Sequence, residues 1–256
     1  MRYLLSFAFV LIGLPVSAGQ FDADVLILGE FHDNPHHHMR QAEIVAATQP
    51  KALVFEMLTE AQAEAHVPGA DAATLEMAFE WADSGWPDFA MYFPIFAAAP
   101  EAQVFGAAVP RTAARAAMTN GVVAAFGDRA QTFGLDTPLD ADEQNAREAL
   151  QMSAHCDALP PEMLPAMVDI QRLRDAELAR VALRALEVTG GPVVVITGNG
   201  HARLDWGMPV YLSHAAPQVS ITTLGQGEDG AALQGLFDIT ETAPGVDRPD
   251  PCLAFQ

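Results

Sequence analysis

The chain has 256 residues, and half of them are hydrophobic. Its 33 acidic residues outnumber its 13 basic ones, which gives a formal net charge of −20. Such an excess of negative charge repels nucleic acid and anionic membrane surfaces, so neither is expected as a partner. The length suits one large domain.

The first residues have the pattern of a secretory signal peptide. Arg2 supplies a positive charge, residues 4–14 form an apolar core, and Val16-Ser17-Ala18 offers small residues for cleavage. We expect a signal peptide over residues 1–18 and a periplasmic or secreted mature domain of residues 19–256. The alternative is an uncleaved anchor, for which the apolar core is short. No later run is long enough to suggest a membrane span.

A carboxylate and an imidazole directly follow the first predicted strand. Val25–Leu28 is a continuous apolar run, typical of a strand buried on both faces, and Gly29 allows the chain to turn at its end. Glu30 and His32 come next, where they can ligate a metal or act as base and acid. The alternative is an ordinary loop before a solvated helix start.

The following segment predicts a helix from Pro35 to Thr48. Asn34 is a good N-cap, and proline suits the first helical position. Met39 is expected on the apolar face of this helix and Gln41 on the polar face.

A second buried strand is predicted at Ala52–Phe55, and Glu56 closes it. Strand, helix and strand within this length indicate a right-handed βαβ unit with adjacent parallel strands. Glu56 is therefore expected near Glu30 and His32. The alternative is a carboxylate that caps the next helix.

Residues 57–100 are predicted to form a helical, aromatic insertion. Trp86–Phe96 concentrates tryptophan, tyrosine, phenylalanine and proline in a short stretch. It is interpreted either as a mobile or half-exposed wall over the strand ends or as a small satellite core.

The middle of the chain predicts a third strand at Gln103–Ala108 and then helices. Arg111 follows that strand, where its guanidinium could hold a carboxylate or a haem propionate, or form a structural ion pair. Cys156 and Cys252 are the only cysteines. They form either a disulfide or two free thiols.

A second Gly-x-x-His turn follows the strongest strand signal. Val193–Ile196 is apolar and β-branched, and it runs into Thr197–His201. Beyond it, residues 206–212 suggest a short strand, residues 219–224 an edge strand, and residues 225–256 an irregular tail. The expected fold is α/β, a mostly parallel sheet flanked by helices, with the site at its carboxyl edge.

These motifs together resemble the ChaN-like haem-binding uptake family, of a superfamily with the TIKI metalloproteases, TraB proteins and erythromycin esterases. The residues that carry the resemblance are Gly29–Asp33, His37, His38, Phe55–Met57, Trp86, Tyr92, Pro94, Val109–Arg111, Gln171, Asp175, Gly198–His201, Gly207 and Pro209. The resemblance implies haem binding or iron acquisition in the cell envelope. It also implies that the superfamily's active-site roles fall on Glu30, His32, Glu56 and His201. The absence of a cysteine near Ala18 departs from the lipid attachment found among ChaN-like proteins.

Three functional hypotheses follow. The first is haem binding with a tyrosine or histidine as axial ligand and Arg111 on a propionate. Tyr92 is the preferred ligand, and Tyr211 and the histidines, His37 among them, are the alternatives.

The second is a metal-dependent hydrolase, a peptidase or esterase. In it His32, His201 and Glu56 hold a divalent ion, with Glu30 near the ion to activate water. The third is an interaction protein with a vestigial site. A homodimer is left open in each case.

Overall fold

A single parallel sheet organises the computed structural model, which describes residues 18–250, 252 and 253. Residues 1–17 of the predicted signal peptide lie outside this range. The strands are β1 (Val25–Glu30), β2 (Ala52–Phe55), β3 (Gln103–Gly106), β4 (Val193–Gly198), β5 (Ile221–Glu228) and β6 (Ile239–Ala243). They are ordered β3-β2-β4-β1-β5-β6, and every pair is parallel. The predicted α/β class is confirmed.

Helices cover both faces of the sheet. They are α1 (Pro35–Thr48), α2 (Glu60–Glu64), α3 (Ala72–Ala78), α4 (Phe89–Ala98), α5 (Arg111–Asn120), α6 (Val122–Phe126), α7 (Ala141–Ala154), α8 (Leu164–Thr189), α9 (Asn199–Ala202) and α10 (Met208–Ala215). Successive strand side chains point to opposite faces. Val25 and Ile27 therefore pack with α8 and α10, whereas Leu26 and Leu28 pack with α1 and α4. Among the described residues, no helix has the length and apolar character of a membrane span.

The central strand arrives late in the chain. β4 pairs with β1 on one side and β2 on the other, with Val194 in register with both Leu26 and Leu53. The expectation that β1 and β2 are adjacent is therefore wrong. All six residues of β4 are buried. The middle of a parallel sheet is covered on both faces, so the most apolar strand is expected there.

Three predictions for the C-terminal part are also wrong. Residues 208–215 form a helix that opens with Pro209 in its first turn and buries Tyr211 and Leu212, so residues 206–212 are not a strand. β5 lies between β1 and β6 rather than at an edge, and it continues to Glu228. The expected irregular tail instead supplies the rest of β5 and the edge strand β6.

Beyond β6 the chain is held at two further points. We define the C-terminal tail as residues 244–250 together with Cys252. Arg248 in this tail forms ion pairs with Asp33 and Glu228. Cys252 is joined to Cys156 by a disulfide, with a Cα–Cα distance of 5.5 Å. The structure thus decides the question about the cysteines in favour of the disulfide.

Candidate functional site

The end of β1 and the start of α1 are shaped by close packing and by a buried cap. Gly29 lies within β1, so the expectation that the chain turns at this residue is wrong. A Cβ on Gly29 would lie 2.5 Å from Asn199 Oδ1 and 2.9 Å from the Leu224 carbonyl oxygen, so a larger residue does not fit. Asn34 caps α1, because its side chain accepts a hydrogen bond from the His36 backbone N–H at 2.9 Å. The end of β1 and the start of α1 are therefore held in a fixed position relative to each other.

Glu30 is a buried carboxylate surrounded by donors. It is only 2% exposed, and it accepts hydrogen bonds from His32 Nδ1 at 2.8 Å, Gln41 Nε2 at 2.8 Å and the Tyr92 hydroxyl at 2.9 Å. Burial alone would raise its pKa, but hydrogen bonds from His32 and His38 outweigh burial and lower the pKa to about 2. This geometry makes Glu30 an anchor for its neighbours rather than a free base.

His32 reaches across the sheet toward Glu56. Its Nδ1 donates to Glu30, and its Nε2 lies 4.0 Å from Glu56 Oε2. Trp86 packs edge-on against the imidazole, with 4.8 Å between ring centroids. Burial opposes the proton on His32, but the hydrogen bond to Glu30 and the charge of Glu56 raise the pKa above its usual value. A Cβ on Gly198 would lie 2.9 Å from His32 Nε2, so the missing side chain on β4 leaves room for this contact.

His201 approaches the same carboxylate from the opposite side. Its Nδ1 donates to Asp175 Oδ1 at 2.6 Å, and its Nε2 lies 3.6 Å from Glu56 Oε1. Burial opposes the charged form, but Glu56 and Asp175 raise the pKa of His201 to about 9. Glu56 also accepts from the Thr197 hydroxyl, and its pKa is lowered against the effect of burial by the two histidines.

The structure therefore brings together all four residues predicted to converge: Glu30, His32, Glu56 and His201. Each histidine has one nitrogen held by a carboxylate and its Nε2 directed at Glu56. Such pairs fix the orientation of the ring. No group of three or more His, Cys, Asp or Glu side chains between residues 18 and 253, residue 251 left aside, is arranged to hold a metal ion.

The four residues predicted to contact haem lie elsewhere or are occupied. Tyr92 is fully buried and donates to Glu30, and burial raises its pKa, so it offers no free phenolate. Tyr211 is 4% exposed on the inner side of α10. His37 is fully buried, with Nδ1 accepting from the Phe31 N–H and Nε2 lying 3.1 Å from the Gly227 carbonyl oxygen. Arg111 is exposed at the start of α5, beyond the edge strand β3, and it belongs to none of the contacts above.

The aromatic segment consists largely of the packed helix α4, with Trp86 just before it. Phe89 and Phe96 of α4 are buried among the side chains beneath α1. Trp86 and Phe93 are half-buried, and Trp86 and Tyr92 touch the site through His32 and Glu30. The satellite-core interpretation describes the packing, and the segment forms one wall of the site.

His36 is a candidate that the sequence reasoning missed. His36 is exposed. His32 and His37 are held by the contacts described above, and His38 Nε2 lies within hydrogen-bond distance of the His32 carbonyl oxygen. The His36 imidazole makes no hydrogen bond with any part of the chain that the structure describes. Met39, three residues on, is 59% exposed on the same side of α1. The periodicity of the histidines with Ile44 and Val45 could have shown that His36 faces outward.

Two cavities adjoin these residues. One of about 280 Å³ lies behind His201 and is lined partly by Asp175, Gly200 and Trp206. The other, also of about 280 Å³, is a groove between α1 and β6 that includes His36, Met39 and Pro244. Each lies just below the roughly 300–1,000 Å³ that encloses a drug-sized ligand. A molecule as large as a porphyrin would therefore lie across the surface rather than inside either cavity.

Comparison with known proteins identifies a family through one family model. A family model described as "Haem-binding uptake, Tiki superfamily, ChaN" matches residues 20–212. The chain is similar to a solved structure described as "Cofacial heme binding to ChaN of Campylobacter jejuni", with 19% identity, 86% of this chain and 87% of that chain covered, and a TM-score of 0.63. At that identity the similarity shows the fold alone. A structure of the type III effector HopBA1 covers 89% of this chain and 91% of its own at 12% identity, with a TM-score of 0.41, too low to bear on function. No curated protein matches the chain.

Proposed function

The chain belongs to the haem-binding uptake family of the Tiki superfamily that includes ChaN, and on this premise we propose that it binds haem and takes part in haem uptake or handling. The family match, which extends over residues 20–212, is the observation that carries the proposal. We place the role in the periplasm or outside the cell, where the predicted signal peptide would direct the chain.

The donor set supports His36 as the axial ligand. Haem iron in proteins is held by histidine, tyrosine, methionine or cysteine. Both cysteines form the disulfide, and the two tyrosines of the mature chain are buried. Of the four histidines at the first turn, His36 alone has an exposed imidazole without a hydrogen bond among the described residues. An imidazole there can bind ferric iron without breaking an existing contact.

The surface around His36 suits a flat apolar ligand. Met39 is 59% exposed and lines the same groove as His36, and Phe31 is 40% exposed on the preceding turn, beneath Arg248. When bound, haem would supply an iron centre, and the chain would supply the ligand and apolar contacts to the ring. Arg111 follows β3, at the opposite edge of the sheet from β6, and no propionate contact is assigned to it here.

A haemin titration tests this assignment. Wild-type mature protein should give a shifted Soret band, and His36→Ala should lower the affinity by about tenfold or more, since one coordinate bond is lost. His214→Ala is the matched control, because His214 is also exposed but lies on α10. Unchanged affinity and spectrum in His36→Ala would exclude His36 as the ligand. The absence of any shift with wild-type protein would count against haem binding itself.

A second candidate function is hydrolysis by acid–base chemistry. The observation that favours it is the position of Glu56 between the Nε2 atoms of His32 and His201, at 4.0 and 3.6 Å. An ionised carboxylate beside a protonated imidazole can take a proton from water and return one to a leaving group. Release of nitrophenol from nitrophenyl esters by haem-free protein, abolished by Glu56→Gln, would support this function. Equal background rates for both proteins would remove it.

A further inference from the structure

The C-terminal tail is tied to the turn that carries the histidines. The Arg248 guanidinium donates to both oxygens of Asp33, at 2.6 Å each, and to both oxygens of Glu228, at 2.6 and 2.7 Å. Paired bonds of this kind fix orientation as well as supplying energy. Arg248 also lies over the Phe31 ring, 5.6 Å from its centroid. Arg248 therefore joins the turn between β1 and α1 to the end of β5.

These contacts continue to the backbone of His36. Glu228 Oε1 accepts from Asn34 Nδ2 at 2.6 Å, and the Pro244 carbonyl oxygen accepts from the same nitrogen at 2.9 Å. Asn34 is fully buried, and its other side-chain atom caps α1 at the His36 N–H. The orientation of the first turn of α1 thus depends on a cap that the tail and Glu228 hold from behind.

Without the Arg248 guanidinium, the carboxylates of Asp33 and Glu228 would lie near each other with no positive charge between them. The hydrogen bonds from Arg248 keep the pKa of Asp33 and the pKa of Glu228 below their usual values, so both are ionised at neutral pH. The two negative charges would repel each other and push the turn between β1 and α1 away from β5. Arg248 therefore holds together segments that would otherwise repel.

The tail itself is fixed at both ends. Ala243, just before it, pairs with Glu228 in the sheet, and Cys252 is bonded to Cys156 beyond the end of α7. A segment of this length with one free end frays, whereas a closed one samples few conformations. We infer that Arg248 is a positioning residue for the turn that presents His36, and that the Cys156–Cys252 disulfide anchors Arg248 there. The functional half of this inference rests on the proposed haem binding.

Hydrogen exchange on haem-free protein tests the positioning directly. Arg248→Met removes the guanidinium and keeps an apolar stem, and Cys156→Ser/Cys252→Ser removes the anchor. Both should speed exchange of the amides in residues 33–38. Arg184→Met is the matched control, because Arg184 forms an exposed ion pair with Glu60 away from this turn. Equal exchange in all four proteins would overturn the inference.

Haemin titration of the same proteins tests the consequence. Loss of charged hydrogen bonds should weaken haemin binding by about tenfold in Arg248→Met, with an altered Soret band, and Arg248→Lys should restore part of both. A dithiol added to the haem-free protein should speed exchange as the double serine variant does: it donates two electrons and two protons to the Cys156–Cys252 bond, yields two thiols, and becomes a disulfide itself.

The two measurements separate the possible failures. Faster exchange with unchanged haemin affinity and spectrum would overturn the positioning role toward haem. If wild-type protein binds no haemin, the proposed function fails, and the exchange result still decides whether Arg248 and the disulfide hold the turn.

Discussion

Replacing Glu30 by glutamine should destabilise the protein in a way that depends on pH. Glu30→Gln keeps the shape of the side chain but removes the charge to which His32, Gln41 and Tyr92 donate. The carboxylate is 2% exposed, so solvent screens these contacts little. A pKa lowered from 4.5 to about 2 corresponds to about 3 kcal/mol of folding free energy at neutral pH.

The sign of the pH dependence follows from the lowered pKa. The stabilisation is complete above the unfolded pKa of about 4.5, and it disappears as the pH falls toward 2. Urea unfolding followed by tryptophan fluorescence should therefore show wild type about 3 kcal/mol more stable than Glu30→Gln at pH 7, with a much smaller difference near pH 3. Tyr92→Phe, which removes one donor and keeps the ring, should cost about 1–2 kcal/mol.

Two results would refute this reasoning. A difference between wild type and Glu30→Gln that stays constant from pH 7 to pH 3 would show that charge is not the cause. A difference below about 1 kcal/mol at pH 7 would show that the buried carboxylate contributes no more than an ordinary hydrogen bond.

Two further predictions concern the second turn. The pKa of His201 is raised from 6.5 to about 9 by Glu56 and Asp175, against burial and the charge of Arg174, so its stabilisation is complete below pH 6.5 and is lost as the pH rises toward 9. Urea unfolding should show wild type losing about 3 kcal/mol between pH 6.5 and pH 9.5 relative to His201→Gln, and parallel profiles would contradict the prediction. Gly198→Ala should displace His32, because the new Cβ would lie 2.9 Å from its Nε2, whereas at Gly200 a Cβ meets nothing within 4 Å. The His32 imidazole NMR signals should shift in Gly198→Ala and stay unchanged in Gly200→Ala, and equal spectra would disprove the steric argument.

Local signals in the sequence were sufficient for most of the elements and for the central group of four side chains. Val25–Leu28 and Val193–Ile196 are apolar enough to be recognised as buried strands, and parallel strands end at one edge of the sheet. His32 and His201 were therefore placed together correctly. The expected adjacency of β1 and β2 was wrong, because β4 lies between them. Strand order depends on pairing between distant segments, and no local pattern encodes it.

The inner face of α1 shows where hydrophobic patterning fails. The sequence reasoning placed Met39 inside and Gln41 outside, but Met39 is 59% exposed and Gln41 is fully buried. The reason is Glu30: a buried carboxylate needs donors, and Gln41 supplies one at 2.8 Å. The burial of Tyr92 has the same cause, since its hydroxyl donates to Glu30 at 2.9 Å. β6 was not predicted because the alternating pattern of Ile239–Ala243 is weak. This segment is a strand because it pairs with β5.

The late arrival of β4 affects how the chain can fold. β1 and β2 end by Phe55, but the strand between them begins only at Val193. Contacts of such wide sequence separation form slowly, and the loop between them must close before they stabilise anything. A nascent chain that stops short of residue 193 lacks the strand that joins β1 to β2, although β2 can already pair with β3. During synthesis the sheet should thus stay incomplete until about three quarters of the chain has emerged, and then close around a strand inserted into its middle.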